Sequence, residues 1–212
     1  KFVVHCDAAG GNGRLIVRPS NLKTIDGEAI VCPIAMCDAR DGQKKLVARW
    51  PFVAGQAIVD ERPCIKNRLA EGGAYDLADA LAAFFKLSEA AQQQLLELQA
   101  STSVHVNDGT LDGAETVAAL QRSGSRVPDG RAADAAKFLR ILDDNAFQFD
   151  ASHAALFVVL SRVNHACLPN AARLEHGGSM RLVALRPIAI GDELTISYLR
   201  ADDLLEPTPR RQ

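Results

Sequence analysis

SRVNHACLPNA, residues 161–171, and LVALRPIAIGDELTISYL, residues 182–199, are the two strings on which the reading of this chain turns. In the second, Leu182 to Leu185 and Leu194 to Tyr198 are rich in β-formers, and Ile190-Gly191-Asp192 supplies a turn between them. Taken singly, the polar residues have ordinary explanations. A tyrosine at a strand end, such as Tyr198, is usually a half-buried packing residue, and a histidine beside a cysteine, such as His165, is usually a satisfied core group. It is their order together with Pro169-Asn170 and Gly191-Asp192-Glu193 that carries information.

Working outward, the chain reads as strands, a helical middle and strands again. Short apolar or β-branched runs bounded by glycine, proline and asparagine occupy the first third: Phe2 to His5, Leu15 to Arg18, Ala29 to Ile34, Leu46 to Arg49 and Ala57 to Asp60. From Asp76 to Ala100 alanine, leucine and glutamine dominate. Ser88 stands at an N-cap position before Glu89-Ala90-Ala91, and Leu95, Leu96 and Leu98 form that helix's buried side. The glycines and proline of 109–130 predict a loose loop or short helix rather than a strand. Ala135, Phe138, Leu139 and Leu142 recur at helical spacing within 131–145, and the apolar run from His153 to Leu160 predicts a buried helix.

The bulk numbers narrow the function classes. A chain of 212 residues that is 48% hydrophobic can bury a core of its own. Its 24 basic and 26 acidic side chains create no overall field toward nucleic acid or an anionic membrane. No apolar run approaches the roughly 20 residues of a membrane span, and residues 1–10 lack the layout of a signal peptide. The five cysteines, Cys6, Cys32, Cys37, Cys64 and Cys167, are odd in number and scattered, which argues against a disulfide framework and for a reducing compartment. Their spacing, with His5, matches no common zinc pattern, so no metal is expected. The expectation is a monomer of the cytoplasm, the nucleus or both, without membrane or direct nucleic-acid contacts. Because Lys1 is not a starting methionine, the expectation is that the sequence is part of a longer one.

The linked strings resemble the C-terminal half of SET-domain lysine methyltransferases, in which an Asn-His-Ser-Cys-x-Pro-Asn segment precedes a Gly-Glu-Glu-Leu-Thr-x-x-Tyr segment. VARWPFVAGQAIVDERPCI, residues 47–65, looks like that family's early strand pair. KLSEAAQQQLLEL (86–98) and LRILDDNAFQF (139–149) are similar to the helical insert of the MYND-associated branch. The resemblance implies an α+β, β-rich fold of several small sheets. Residues 1–65 would form the N-terminal part of the domain, 66–150 a mainly helical insert, 151–199 the part with the cofactor and catalytic motifs, and 200–212 a tail or the start of a following region.

Carried over residue by residue, the resemblance implies that Asn164 and His165 line a site for S-adenosylmethionine. Asn145 touches the same cofactor, Ser161 and Arg162 offer contacts along it, and Tyr198 is the catalytic tyrosine, which also borders the cofactor. Asparagine suits such a site by offering donor and acceptor together. The implied reaction is methyl transfer to a lysine side chain of a protein, histone or non-histone. An in-line displacement of this kind asks the protein chiefly to position its reactants. The alternative is a SET-fold binding module without catalysis. This chain departs from the pattern in three places. Gly42-Gln43-Lys44-Lys45 stands where the family has an early glycine-x-glycine, although Gly11-Asn12-Gly13 offers that pattern elsewhere. Ala166 replaces the usual serine, and no cysteine cluster follows Tyr198.

Overall fold

In a computed structural model the structure describes residues 2–5, 16–19, 33–38, 44–69, 75–100, 104–106, 109–111 and 113–199. Strands β1 (Phe2–His5) and β2 (Ile16–Pro19) pair antiparallel. β3 (Ile34–Asp38) and β4 (Lys44–Ala48) form a separate antiparallel pair. β5 (Ala57–Glu61) lies parallel to β1. Its other edge takes the antiparallel hairpin of β12 (Ala171–His176) and β13 (Ser179–Ala184), giving a five-stranded sheet in the order β12-β13-β5-β1-β2. A three-stranded sheet, β6-β10-β9, is built from β6 (Ile65–Arg68), β9 (Phe147–Asp150) and β10 (His153–Leu156). Two short ladders complete the β-structure of the described residues: β7 (Val104–Val106) with β8 (Gly109–Leu111), and β11 (Asn164–His165) with β14 (Thr195–Ile196). The fold is α+β and β-rich, as the resemblance implied.

Among the described residues four helices fill the middle of the chain. Asp76 caps α1 (Leu77–Lys86) by accepting from the Asp79 amide, and Ser88 caps α2 (Glu89–Leu96) by accepting from Ala91, so each start has a side-chain oxygen on an otherwise unpaired amide. Leu95, Leu96 and Leu98 are buried, as their spacing predicted. α3 (Gly113–Arg122) crosses α4 (Ala132–Asn145) closely enough that a Cβ on Gly113 would lie 2.8 Å from the Ala136 carbonyl oxygen. Phe84 of α1 and Phe138 of α4 stack at 4.3 Å in the centre of this helical core. A second apolar cluster, around Ile58, Phe157, Leu182, Ile188 and Ile196, lies under the sheets.

Three expectations change. The run His153 to Leu160 is not a helix: its first half is strand β10, flanked on both edges by β6 and β9, and it ends in a 3-10 turn, Leu160–Arg162. A fully buried strand is apolar on both faces, and a short run of that kind has the same composition as a buried helix. Within 109–130 a strand, β8, precedes a full helix, α3. The strand expected over Ala29 to Ile34 instead starts at Ile34, with residues 29–32 outside the described residues. One cysteine also departs from expectation: Cys64 is disulfide-bonded, whereas Cys37 and Cys167 are free thiols. Among the described residues no group of three or more His, Cys, Asp or Glu could hold a metal ion, and no helix is long and apolar enough to cross a membrane.

Candidate functional site

The segment around Asn164 and His165 owes its course to one buried carboxylate. Glu61, the last residue of β5, is fully buried, and it accepts the amides of Val158 (2.8 Å) and Val159 (3.0 Å) on one oxygen and of Leu160 (2.8 Å) on the other. Complete burial pushes its pKa up to about 7; the three amides and the charge of Arg162 oppose that rise. The chain leaves this anchor through the 3-10 turn and enters β11.

β11 runs parallel to β14, with Asn164 opposite Thr195 and His165 opposite Ile196. Two residues of ladder would be a weak join by themselves. Asn170 reinforces it: its side-chain amide donates to the Glu193 carbonyl at 2.8 Å and its oxygen accepts the Thr195 amide at 2.9 Å. The Asn164 amide donates to the Glu193 carboxylate at 2.8 Å. β4 approaches from the other side, where Leu194 donates to the Leu46 carbonyl and Ala48 to that of Asp192. Gly191, with φ +88°, makes the turn that allows this approach.

Just beyond β14, the Tyr198 amide donates to Nδ1 of His165 at 3.0 Å, and the two rings lie 5.3 Å apart. That bond requires Nδ1 to be the acceptor, so the proton of the neutral ring sits on Nε2, which faces the Cys167 sulfur at 3.6 Å. The Tyr198 hydroxyl donates to the Val163 carbonyl at 2.8 Å. Burial raises the pKa of this phenol, and the nearby Arg173 charge pulls it down.

All six residues expected at the site, Asn145, Ser161, Arg162, Asn164, His165 and Tyr198, border one cleft of about 1180 Å³. Asn145, at the end of α4, is buried and donates its amide to the carbonyls of Gln99 and Ile141, while its own carbonyl accepts the Ser161 hydroxyl at 3.2 Å. Arg162 is anchored through Nε to the Val158 carbonyl. Partial burial lowers its pKa, and the carboxylates of Glu97 and Glu61 hold it charged. Glu97, Asp144, Glu193 and Lys44 also border the cleft; none was expected at the site from sequence, although Glu193 belongs to the Gly191-Asp192-Glu193 string. Only their proximity in the fold joins them to the Asn-His segment. The walls thus present both signs of charge beside neutral amide and hydroxyl groups, which suits a zwitterionic ligand with further polar groups. Of the glycine patterns, Gly42 and the pair Gly11 and Gly13 lie outside the described residues; Lys44 stands next to Asn164, whose amide reaches its carbonyl at 3.4 Å.

Residues 32–199 match the model of the SET domain family. Over 46 residues, 22% of this chain and 12% of the relative, the sequence is 41% identical to a SET and MYND domain-containing protein of Dictyostelium discoideum. Over 42 residues, 20% of this chain and 11% of the relative, it is 43% identical to a SET domain-containing protein of the same organism. The matched stretches therefore span about a tenth of each relative's length. A structure of a candidate histone methyltransferase from Plasmodium falciparum aligns over 81% of this chain and 97% of its own, with 13% identity and a TM-score of 0.38.

Proposed function

Because the chain belongs to the SET domain family, we propose that it is an S-adenosylmethionine-dependent protein-lysine N-methyltransferase. The observation that carries the reading is the convergence of Asn145, Ser161, Arg162, Asn164, His165 and Tyr198, drawn from separate parts of the chain, on a single cleft. Such convergence is what a built ligand site requires. The charges fit the cofactor: its methionine part carries an ammonium and a carboxylate, and the cleft sets Glu97 and Asp144 alongside Arg162 and Lys44. The MYND-associated branch is the closer assignment within the family, supported by the Dictyostelium relative over its 46 matched residues.

When bound, the cofactor supplies a methyl group on a sulfonium, open to in-line displacement by an amine. Asn164 and Arg162 hold its polar groups, and Asn145 does so through the oxygen that its two donated bonds leave available. His165 fixes the backbone of Tyr198 through Nδ1. The Tyr198 phenol, itself tied to the Val163 carbonyl, keeps an oxygen beside which the acceptor amine is oriented. The amine must be neutral to attack, and a partly buried, low-dielectric approach favours that form by penalising the ammonium, so no dedicated base is required. The acceptor is a lysine of another protein, histone or non-histone, and the setting is the cytoplasm, the nucleus or both.

Isothermal titration of the full-length protein with S-adenosylhomocysteine tests the reading, beside the double variant Asn164→Ala, His165→Ala. Saturable binding that the variant loses is the expected result. A folded full-length protein that binds none would overturn it in favour of a SET-fold module without catalysis.

A further inference from the structure

Two connections outside the cleft pair with each other. Between β4 and β5 the chain runs Arg49-Trp50-Pro51-Phe52-Val53, and between β13 and β14 it runs Leu185-Arg186-Pro187-Ile188-Ala189-Ile190. They lie antiparallel as a short ribbon, in which Phe52 and Ile188 exchange both backbone hydrogen bonds at 2.9 Å. Gly55, at φ +80°, turns the chain at one end and Gly191 at the other. The side chains of Phe52 and Ile188 are buried in the apolar cluster under the sheets.

Side chains alternate between the faces of an extended chain, so the neighbours of that pair, Pro51, Val53, Pro187 and Ala189, turn the other way, and all four are exposed. The water-facing side of an antiparallel pair is ordinarily polar, and none of these four is. Trp50 and Ile190 at one end of the ribbon and Leu185 at the other are exposed as well, and Val53 and Ile190 are each 67% exposed. Arg49 and Arg186 are the charged residues of the two stretches; both are exposed, and neither meets a carboxylate among the described residues. Aromatic and aliphatic side chains with arginine, and without lysine or glutamate, are the composition of a protein interface.

The two arginines select the occupant. A second copy laid face to face would bring guanidiniums of the same sign together. A lipid surface is held by clusters of about four or more basic residues, and the ribbon supplies only this pair. We propose that the ribbon docks a segment of another protein in which apolar side chains are flanked by Asp or Glu. Its apolar groups cover Pro51, Val53, Pro187 and Ala189, and its carboxylates reach Arg49 and Arg186. None of these residues borders the cleft, so a partner seated here leaves the cleft open.

The test selects random peptides displayed on phage against the full-length protein, with counter-selection on the double variant Val53→Ser, Ile190→Ser. Both side chains are exposed, so the introduced hydroxyls meet water and the core is untouched; circular dichroism certifies the fold of each variant. Enrichment of peptides that combine Leu, Ile or Phe with Asp or Glu is expected. In anisotropy titrations, a fluorescein-labelled survivor is expected to bind the wild type about tenfold more tightly than the double variant Arg49→Glu, Arg186→Glu, and less tightly as salt rises. The proposal is overturned when no peptide survives counter-selection, when the survivors are basic or uncharged, or when the Glu variant binds a survivor as the wild type does. It is equally overturned when the serine variant instead loses co-sedimentation with phosphatidylserine vesicles, or loses a dimer seen by analytical ultracentrifugation, since either result gives the face to a lipid surface or to a second copy.

Discussion

Tyr198 is held at both ends by the segment it faces: its amide donates to Nδ1 of His165 at 3.0 Å, and its hydroxyl to the carbonyl of Val163 at 2.8 Å. His165→Ala removes the first tie and leaves the second, so the ring keeps an anchor while its backbone is released. Methyl transfer is expected to fall by roughly tenfold or more, because small losses of alignment are costly in a displacement. Radiolabelled methyl transfer to a mixed protein substrate reads this. Wild-type turnover in the variant would remove the positioning role from His165.

Tyr198→Phe keeps the amide bond to His165 and deletes only the phenol oxygen. The expected outcome is a loss of transfer of about a hundredfold or more, with S-adenosylhomocysteine affinity changed by less than about threefold. Measuring turnover and titration on the same preparation separates the two. Equal losses in both would make Tyr198 a binding group and not a catalytic one.

Asn170 serves stability. Truncation to Ala strips the Thr195 amide and the Glu193 carbonyl of their partners at a partly buried join. Each orphaned group costs about 1–3 kcal/mol, and the sum predicts a melting temperature lower by roughly 5–15 °C in calorimetry. Asn170→Asp should keep the bond from Thr195 and lose the one to Glu193, giving an intermediate drop.

Glu61 makes stability depend on pH. Its folded pKa of about 7 lies above the ordinary 4.5, so the folded state holds this proton more tightly than the unfolded chain does. Its contribution is therefore largest below about pH 4.5, declines as pH rises toward 7, and is flat above that. The change amounts to about 3 kcal/mol across the window. Glu61→Gln removes that slope from denaturant midpoints measured between pH 4.5 and 7.5. It also lowers stability at every pH in that window, because an amide has one accepting oxygen for three backbone donors. A variant with the wild-type slope would assign the titration to another group.

The order of strands and helices was legible where periodicity or capping chemistry was strong: Ser88 starts α2, and the apolar spacing of 131–145 yields α4. β6 escaped notice because Ile65-Lys66-Asn67-Arg68 is mostly polar; pairing with β10 and burial of Asn67 override that composition. At the site, the residues of the Asn-His and Tyr segments could be named because they are contiguous strings. Glu97, Asp144 and Lys44 were not, because nothing in their own strings marks them as facing Asn164 and only tertiary folding brings them to the cleft.

The parallel pairing of Asn164 with Thr195 and of His165 with Ile196 also sets a timetable. Parallel strands cannot close through a tight turn, and here the chain between them runs through the β12–β13 hairpin. The third wall, Leu46 with Leu194, joins positions almost 150 residues apart in the chain. Contacts so distant along the chain are slow to form. On the ribosome, the cleft comes into being only after residue 198 has emerged, so nascent chains halted earlier lack the wall that Tyr198 supplies.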